Sequence, residues 1–181
     1  RWGIDPGRVM VTGIPVHPKW TDPLDAGRVL EKWGLPGDRP IVLLSGGAYF
    51  TVGPVTQIAR GILDRTDAHV VVLAGNNKKL LADLAEMPES GQRLTGIGWT
   101  DKVHELAHVA ALMVTKPGGL ITSELITKGL PMVLTKPVPG QEAANAELLS
   151  SEGAAILTRG DAEVVDAVSG LLANPEGLEA L

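Results

Sequence analysis

The chain contains no cysteine, which excludes disulfides, thiolate catalysis and cysteine-ligated zinc. Aromatic residues are scarce, with four Trp, one Tyr and one Phe, so any core has to be assembled from Val, Leu, Ile and Ala. Positive charge is also in short supply. Sixteen Lys and Arg face 21 Asp and Glu, for a net charge of −5, and a general nucleic-acid binder needs a basic face to displace counterions. No apolar run approaches the roughly 20 residues of a membrane-spanning helix, and the N-terminus does not read as a signal peptide. A cytoplasmic location is expected. The first residue is Arg1 rather than Met, which suggests a piece excised from a longer protein. No Walker A loop, nucleophile elbow or Gly-x-Gly-x-x-Gly fingerprint is present.

What remains is enough for one ordinary core, because 44% of 181 residues are hydrophobic. Short β-branched runs alternate with helical stretches, the pattern of βα units and a parallel sheet. The pattern predicts strands over 8–12, 41–45, 69–74, 93–97, 111–115, 131–134 and 154–157. It predicts helices over 24–33, 54–64, 77–86, 102–108, 119–128, 142–150 and 162–173. Ile41-Val-Leu-Leu44 and His69-Val-Val-Val-Leu73 are apolar on both faces, as strands covered by helices on both sides must be. The expected fold class is α/β, a doubly wound, mostly parallel Rossmann-like sheet. In such sheets ligands sit beyond the carboxyl ends of the strands. Gly46-Gly47, Gly75-Asn-Asn77, Gly98-Trp-Thr100 and Gly118-Gly119 all follow predicted strands.

Lys116-Pro-Gly-Gly-Leu-Ile-Thr-Ser-Glu124, with Gly129-Leu-Pro131 and Pro139-Gly-Gln-Glu-Ala-Ala-Asn145, is the most informative stretch. A strand that ends in a glycine pair opening a helix brings unpaired N–H groups and the positive helix end to one point, which suits a diphosphate. The segment reads as a nucleotide-sugar cradle. A tight packing turn that needs small residues would look the same in isolation. Gln141 and Asn145 are one helical turn apart, so both amides can face one cleft.

Val11-Thr-Gly-Ile-Pro15, the loop from Ser45-Gly-Gly47 to Val52-Gly-Pro54, and Lys116-Pro-Gly-Gly119 through Pro139-Gly-Gln-Glu142 to Asn145 resemble the C-terminal half of glycosyltransferase family 28. The resemblance covers nearly the whole chain. It is strongest to the glycolipid-forming members, the monogalactosyldiacylglycerol synthases and processive diacylglycerol glucosyltransferases. It implies one half of a two-domain GT-B glycosyltransferase, with 1–20 as an interdomain linker and first strand and 21–181 as the UDP-sugar-binding domain. The implied reaction is inverting transfer of galactose or glucose to a diacylglycerol-type lipid. The acceptor lipid, the membrane surface and the catalytic base would be met by the other, N-terminal domain, and the intact protein would be peripheral to the membrane. No catalytic residue, metal ligand or cofactor is expected in this chain.

The resemblance also assigns roles. Gly118, Gly119 and Leu120 would hold the donor diphosphate. Glu124 would accept from the ribose hydroxyls, against the plainer reading of a solvated acid near a helix N-terminus. Gln141, Glu142 and Asn145 would read the hexose, against a polar outer face. Thr100 and Val103 would seat uracil, with Trp99 either packed beneath the pocket or stacked on the base and Asp101 as an N-cap. Gly47 and Ala48 belong to the first glycine loop, where Ala48 replaces a phosphate-contacting serine of the related peptidoglycan transferase. This loop departs from the family, whose equivalent is shorter and richer in glycine; Tyr49 and Phe50 at its tip would face the lipid or the other domain, or simply pack.

Two other readings stand beside this one. The peptidoglycan N-acetylglucosaminyltransferase of the same family shares the cradle but carries an arginine where this chain has His17. A stand-alone nucleotide-binding module without activity is the other. His104-Glu-Leu-Ala-His108 matches the zinc-protease pattern, but no third ligand is evident and the structural reading is preferred.

Overall fold

The computed structural model describes residues 3–46 and 54–181. Six strands, β1 (Ile41–Ser45), β2 (His69–Gly75), β3 (Leu94–Gly98), β4 (Leu112–Thr115), β5 (Met132–Thr135) and β6 (Ala155–Thr158), form one sheet. All neighbours pair in parallel, in the order β3-β2-β1-β4-β5-β6. Each crossover carries a helix. The helices are α1 (Ala26–Trp33) before the sheet, α2 (Val55–Arg65), α3 (Lys78–Ala85), α4 (Val103–Val109), α5 (Gly119–Lys128), α6 (Gln141–Ser151), α7 (Asp161–Ala173) and a short α8 (Pro175–Glu179). Every expected sheet strand from 41 onward and every expected helix lies within two residues of its predicted bounds.

The strands are apolar on both faces because both are covered. Val42 and Leu44, Val70 and Val72, and Leu112 and Val114 face the core under α2, α3 and α7. Their alternates Ile41 and Leu43, Val71 and Leu73, and Met113 face a second core with Leu106, Leu125 and Ala146. A side-chain period of two forces this division. Helix ends follow local chemistry. Asp25 caps α1 by accepting from Arg28 N–H at 3.0 Å, and Gly34 closes that helix at a φ of +62°, a conformation that suits glycine.

The predicted strand over 8–12 does not form. Val9, Met10 and Val11 run as extended backbone, 61%, 83% and 94% exposed, after a one-turn 3-10 helix at Pro6–Arg8. The β-branched Val9 and Val11 favour extended backbone, but no strand among the described residues pairs with them. A second such turn, Pro18–Trp20, buries Trp20 in the second core.

The order of strands reverses between β1 and β4. Successive crossovers therefore wind away from each other there and open a crevice above the carboxyl ends.

Candidate nucleotide-sugar site

Two joined hollows occupy that crevice. One, of about 340 Å³, is lined by Ser45, Gly46, Val103, Thr115, Lys116, Gly118, Ile121 and Glu142. The other, of about 210 Å³, continues past Ser45 and Val103 to Leu73, Gly75, Gly98, Trp99 and Thr100. Together they form a groove from the end of β3 to the starts of α5 and α6.

At the middle of the groove α5 begins. The N-cap Gly118 has no side chain to satisfy the helix, and the first intrahelical bond runs from Thr122 N–H to the Gly118 carbonyl at 3.1 Å. The Gly118 N–H already donates to the Lys116 carbonyl at 2.8 Å. The uncapped donors are therefore Gly119, Leu120 and Ile121, one residue later than the sequence implied. An anion placed there would meet three N–H groups and the positive end of the helix dipole. Space at Gly119 is tight: a Cβ would come within 2.9 Å of Ile14 Cδ1 and 3.3 Å of Gln141 Nε2, the ends of two exposed side chains that would have to move aside.

α6 closes the far end. Gly140 precedes it at φ +104° and ψ −124°, a backbone state suited to glycine, and so aims the helix start at the groove. Glu142 folds back to accept from Val138 N–H at 2.9 Å while still lining the crevice. Asn145 donates from Nδ2 to the Pro117 carbonyl at 3.0 Å, which ties α6 to the loop that carries the glycine pair. Gln141 is exposed beside Gly119.

The opposite end is built from the β3–α4 loop and the Pro18–Trp20 turn. Thr100 Oγ1 accepts from Lys102 N–H at 3.0 Å, and Lys102 is the N-cap of α4, so the expected cap role of Asp101 is taken by a threonine turn. Trp99 is 67% exposed on the groove rim rather than packed beneath it. Lys19 Nζ donates to the Asp101 carbonyl at 3.0 Å. On α5, one turn beyond Ile121, Glu124 is half-buried against the same turn. Burial pushes its carboxyl above the usual range, partly offset by the Trp20 indole N–H and the Lys19 charge. The Trp20 N–H is itself buried and closes no hydrogen bond of normal geometry, so its pull on the carboxylate acts at longer range.

Comparisons with known proteins bear on the family and the fold. No protein-family model matches the chain. The processive diacylglycerol β-glucosyltransferase of Bacillus licheniformis is 34% identical over 180 residues, which are 99% of this chain and 47% of that protein. The chain belongs to glycosyltransferase family 28. It spans about half the length of the curated relatives it matches. Two solved glycosyltransferases share the fold. WaaG, involved in lipopolysaccharide biosynthesis, superposes with a TM-score of 0.73 at 16% identity, over 97% of this chain and 50% of its own. VinC, crystallised with DTDP, gives 0.67 at 21% identity, over 83% of this chain and 37% of its own. The fold is the GT-B kind in which such enzymes are built.

With the family in hand, the predicted residues can be placed. Gly118, Gly119, Leu120, Gln141, Glu142 and Asn145 gather around the α5 and α6 starts, and Trp99, Thr100 and Val103 around the other end of the groove. Gly47 and Ala48, with Tyr49 and Phe50, lie outside the described residues. Sequence reasoning missed Ile121, Lys19 and Trp20. Ile121 was foreseeable, because an uncapped helix leaves its first N–H groups free whatever side chains they carry. Lys19 and Trp20 act across about a hundred residues of sequence, and only Pro18, at the first position of a turn, marks the place. His17 caps that turn, its Nδ1 accepting from Lys19 N–H at 3.1 Å.

Two members of the zinc-protease pattern have other partners. His104 is buried edge-on against Trp20, with ring centroids 6.2 Å apart, and burial lowers its pKa. Glu105 is held by Lys32 Nζ at 2.6 Å and Trp33 Nε1 at 2.9 Å. Among the described residues no group of three or more His, Asp or Glu could hold a metal ion, and no helix is long and apolar enough to cross a membrane.

Proposed function

We propose that this chain is the donor half of an inverting hexosyltransferase, binding a UDP-hexose whose sugar passes to a diacylglycerol-type lipid. The observation that carries this reading is the α5 N-terminus, three uncapped N–H groups opening into a groove at the strand-order reversal. The diphosphate would lie on Gly119, Leu120 and Ile121. Uracil would then fall beside Thr100 and Val103, ribose by Glu124, and the hexose by Gln141 and Glu142. The lipid acceptor is inferred from the name of the Bacillus licheniformis relative.

In this reading the chemistry is displacement at the anomeric carbon. The acceptor hydroxyl attacks as a base supplied from outside this chain removes its proton, and the bond to the UDP oxygen breaks on the opposite face. The charge left on UDP would be met by the α5 N–H groups and dipole, which are already oriented before reaction. Asn145 would act indirectly, by holding the glycine-pair loop.

Calorimetry of the 181-residue chain with UDP tests the proposal. Binding that requires the α5 start, with no consumption of UDP-galactose or UDP-glucose in the presence of diacylglycerol, is the expected result. Absence of any UDP binding overturns the donor-site reading, and rapid turnover overturns the assignment of the base to residues elsewhere.

A further inference from the structure

Resting on that donor-site reading, we propose that the Pro18–Trp20 turn positions the nucleoside end of the site, Trp20 orienting the Glu124 carboxylate and Lys19 holding the loop that carries Thr100. The turn touches both parts of the site at once. Lys19 Nζ reaches the Asp101 carbonyl, adjacent to Thr100. Trp20 is only 2% exposed and packs against His104 on one side and the α5 region on the other.

A buried indole N–H without a hydrogen bond is costly. Trp20 Nε1 is such a group, and the half-buried carboxylate it favours in charged form belongs to Glu124. A small rotation of Glu124 toward the indole would satisfy the donor. It would also fix one carboxylate oxygen, leaving the other aimed by the protein rather than by solvent. The turn is itself braced, by the His17 cap and by Thr21 Oγ1 donating to the Pro18 carbonyl at 2.9 Å.

The charges around Glu124 make the role measurable. From the turn, Lys19 and Trp20 favour its ionised form, against burial, which disfavours it. From α4 and the loop before it, His104, Asp101 and Lys102 complete the charged neighbourhood of the turn. His104 is kept from protonation chiefly by burial and then by Lys19. α6 packs on α5 and brings Glu142, whose carboxylate is turned toward Val138. Removing the Trp20 N–H or the Lys19 charge therefore moves Glu124 protonation to higher pH. A merely structural tryptophan would shift it the other way, because losing its bulk relieves the burial that raises the carboxyl.

The experiment is UDP calorimetry from mildly acidic to neutral pH on the 181-residue chain, with Glu124→Gln as the reference for the titration of UDP itself. Trp20→Phe should lower UDP affinity by about threefold to tenfold, the range of one hydrogen bond, and move the acid limb upward in pH. The same substitution in the Glu124→Gln background should have no further effect. Lys19→Met, at the surface, should move the limb in the same direction without touching the core. Should Trp20→Phe fail to fold, the benzothiophene analogue of tryptophan, which keeps the shape and loses the N–H, takes its place. If Glu124→Gln weakens UDP while the Trp20 and Lys19 variants leave affinity and profile unchanged, the positioning role is refuted and the donor site stands. If Glu124→Gln itself binds UDP normally, the ribose assignment fails first.

Discussion

The sheet has hollows at both ends, and the largest single one is the less equipped for an anionic ligand. At the amino end a cavity of about 430 Å³ lies between the ends of α4 and α5 and the α8 region. At the carboxyl end the hollows are about 340 and 210 Å³. The difference is one of direction. In a parallel sheet every following helix starts at the carboxyl edge and finishes at the amino edge. One edge therefore collects free N–H groups and positive dipole ends, while the other collects carbonyls and negative ends. Around the 430 Å³ cavity α4 has just ended at Val109 and α5 at Lys128. Direction, rather than volume, is what distinguishes the two edges for an anion.

The sharpest way to break this contrast is at the α5 start. Gly119→Val forces a side chain against Ile14 and Gln141, so UDP affinity should fall by more than about a hundredfold. The far-ultraviolet circular dichroism spectrum should be kept. Retained UDP binding would remove the α5 start from the site.

Next in size is Glu124→Ala, expected to weaken UDP by about 1.5–3 kcal/mol, roughly tenfold to a hundredfold, as for hydrogen bonds to a charged group. Stability should move the other way. Because burial raises the Glu124 pKa, the folded state holds that proton more tightly than the unfolded one. The group's favourable contribution is then complete below the unfolded value and is lost as pH rises through the folded value. Glu124→Gln, which stays neutral, should thus raise the thermal midpoint of the unliganded chain at neutral pH while lowering UDP affinity. A fall in both would make Glu124 a structural residue.

A smaller effect separates sugar from nucleotide. Gln141→Ala should weaken UDP-glucose or UDP-galactose by about 0.5–1.5 kcal/mol and leave UDP itself almost untouched. Equal loss for both ligands would place Gln141 with the phosphates instead. At the opposite edge His108 lines the 430 Å³ cavity, and His108→Ala should change UDP affinity by less than about twofold, within the range of surface substitutions. Elemental analysis of protein purified without chelators should find substoichiometric zinc with or without His108. One zinc per chain, lost in the variant, would revive the metal pattern.

The sheet was legible because its signals are local and repeated. Both-face apolar runs such as Val70-Val-Val72 read as buried strands, and Gly34 and Gly129 mark helix ends at positive φ. The segment over 8–12 carried the same composition without a partner, and composition cannot report pairing. α8 went unread although Asn174-Pro175 announces it, with Asn174 Oδ1 accepting from Gly177 N–H at 3.2 Å. At the site, residue types were legible but their hydrogen bonds were not. Asn145 joins Pro117 and Lys19 joins Asp101, partners 28 and 82 residues apart that only the packed fold brings together.

The strand order has a consequence for how the chain assembles. β1, β2 and β3 pair with close neighbours in sequence, as do β4, β5 and β6, whereas β1 meets β4 across the entire first half. Among the five strand pairings, closing that long loop carries the largest loop-closure entropy. The groove lies above this same seam, so it exists only once β1 and β4 have paired. A nucleotide bound there would stabilise the folded chain by holding the two halves of the sheet together at their seam.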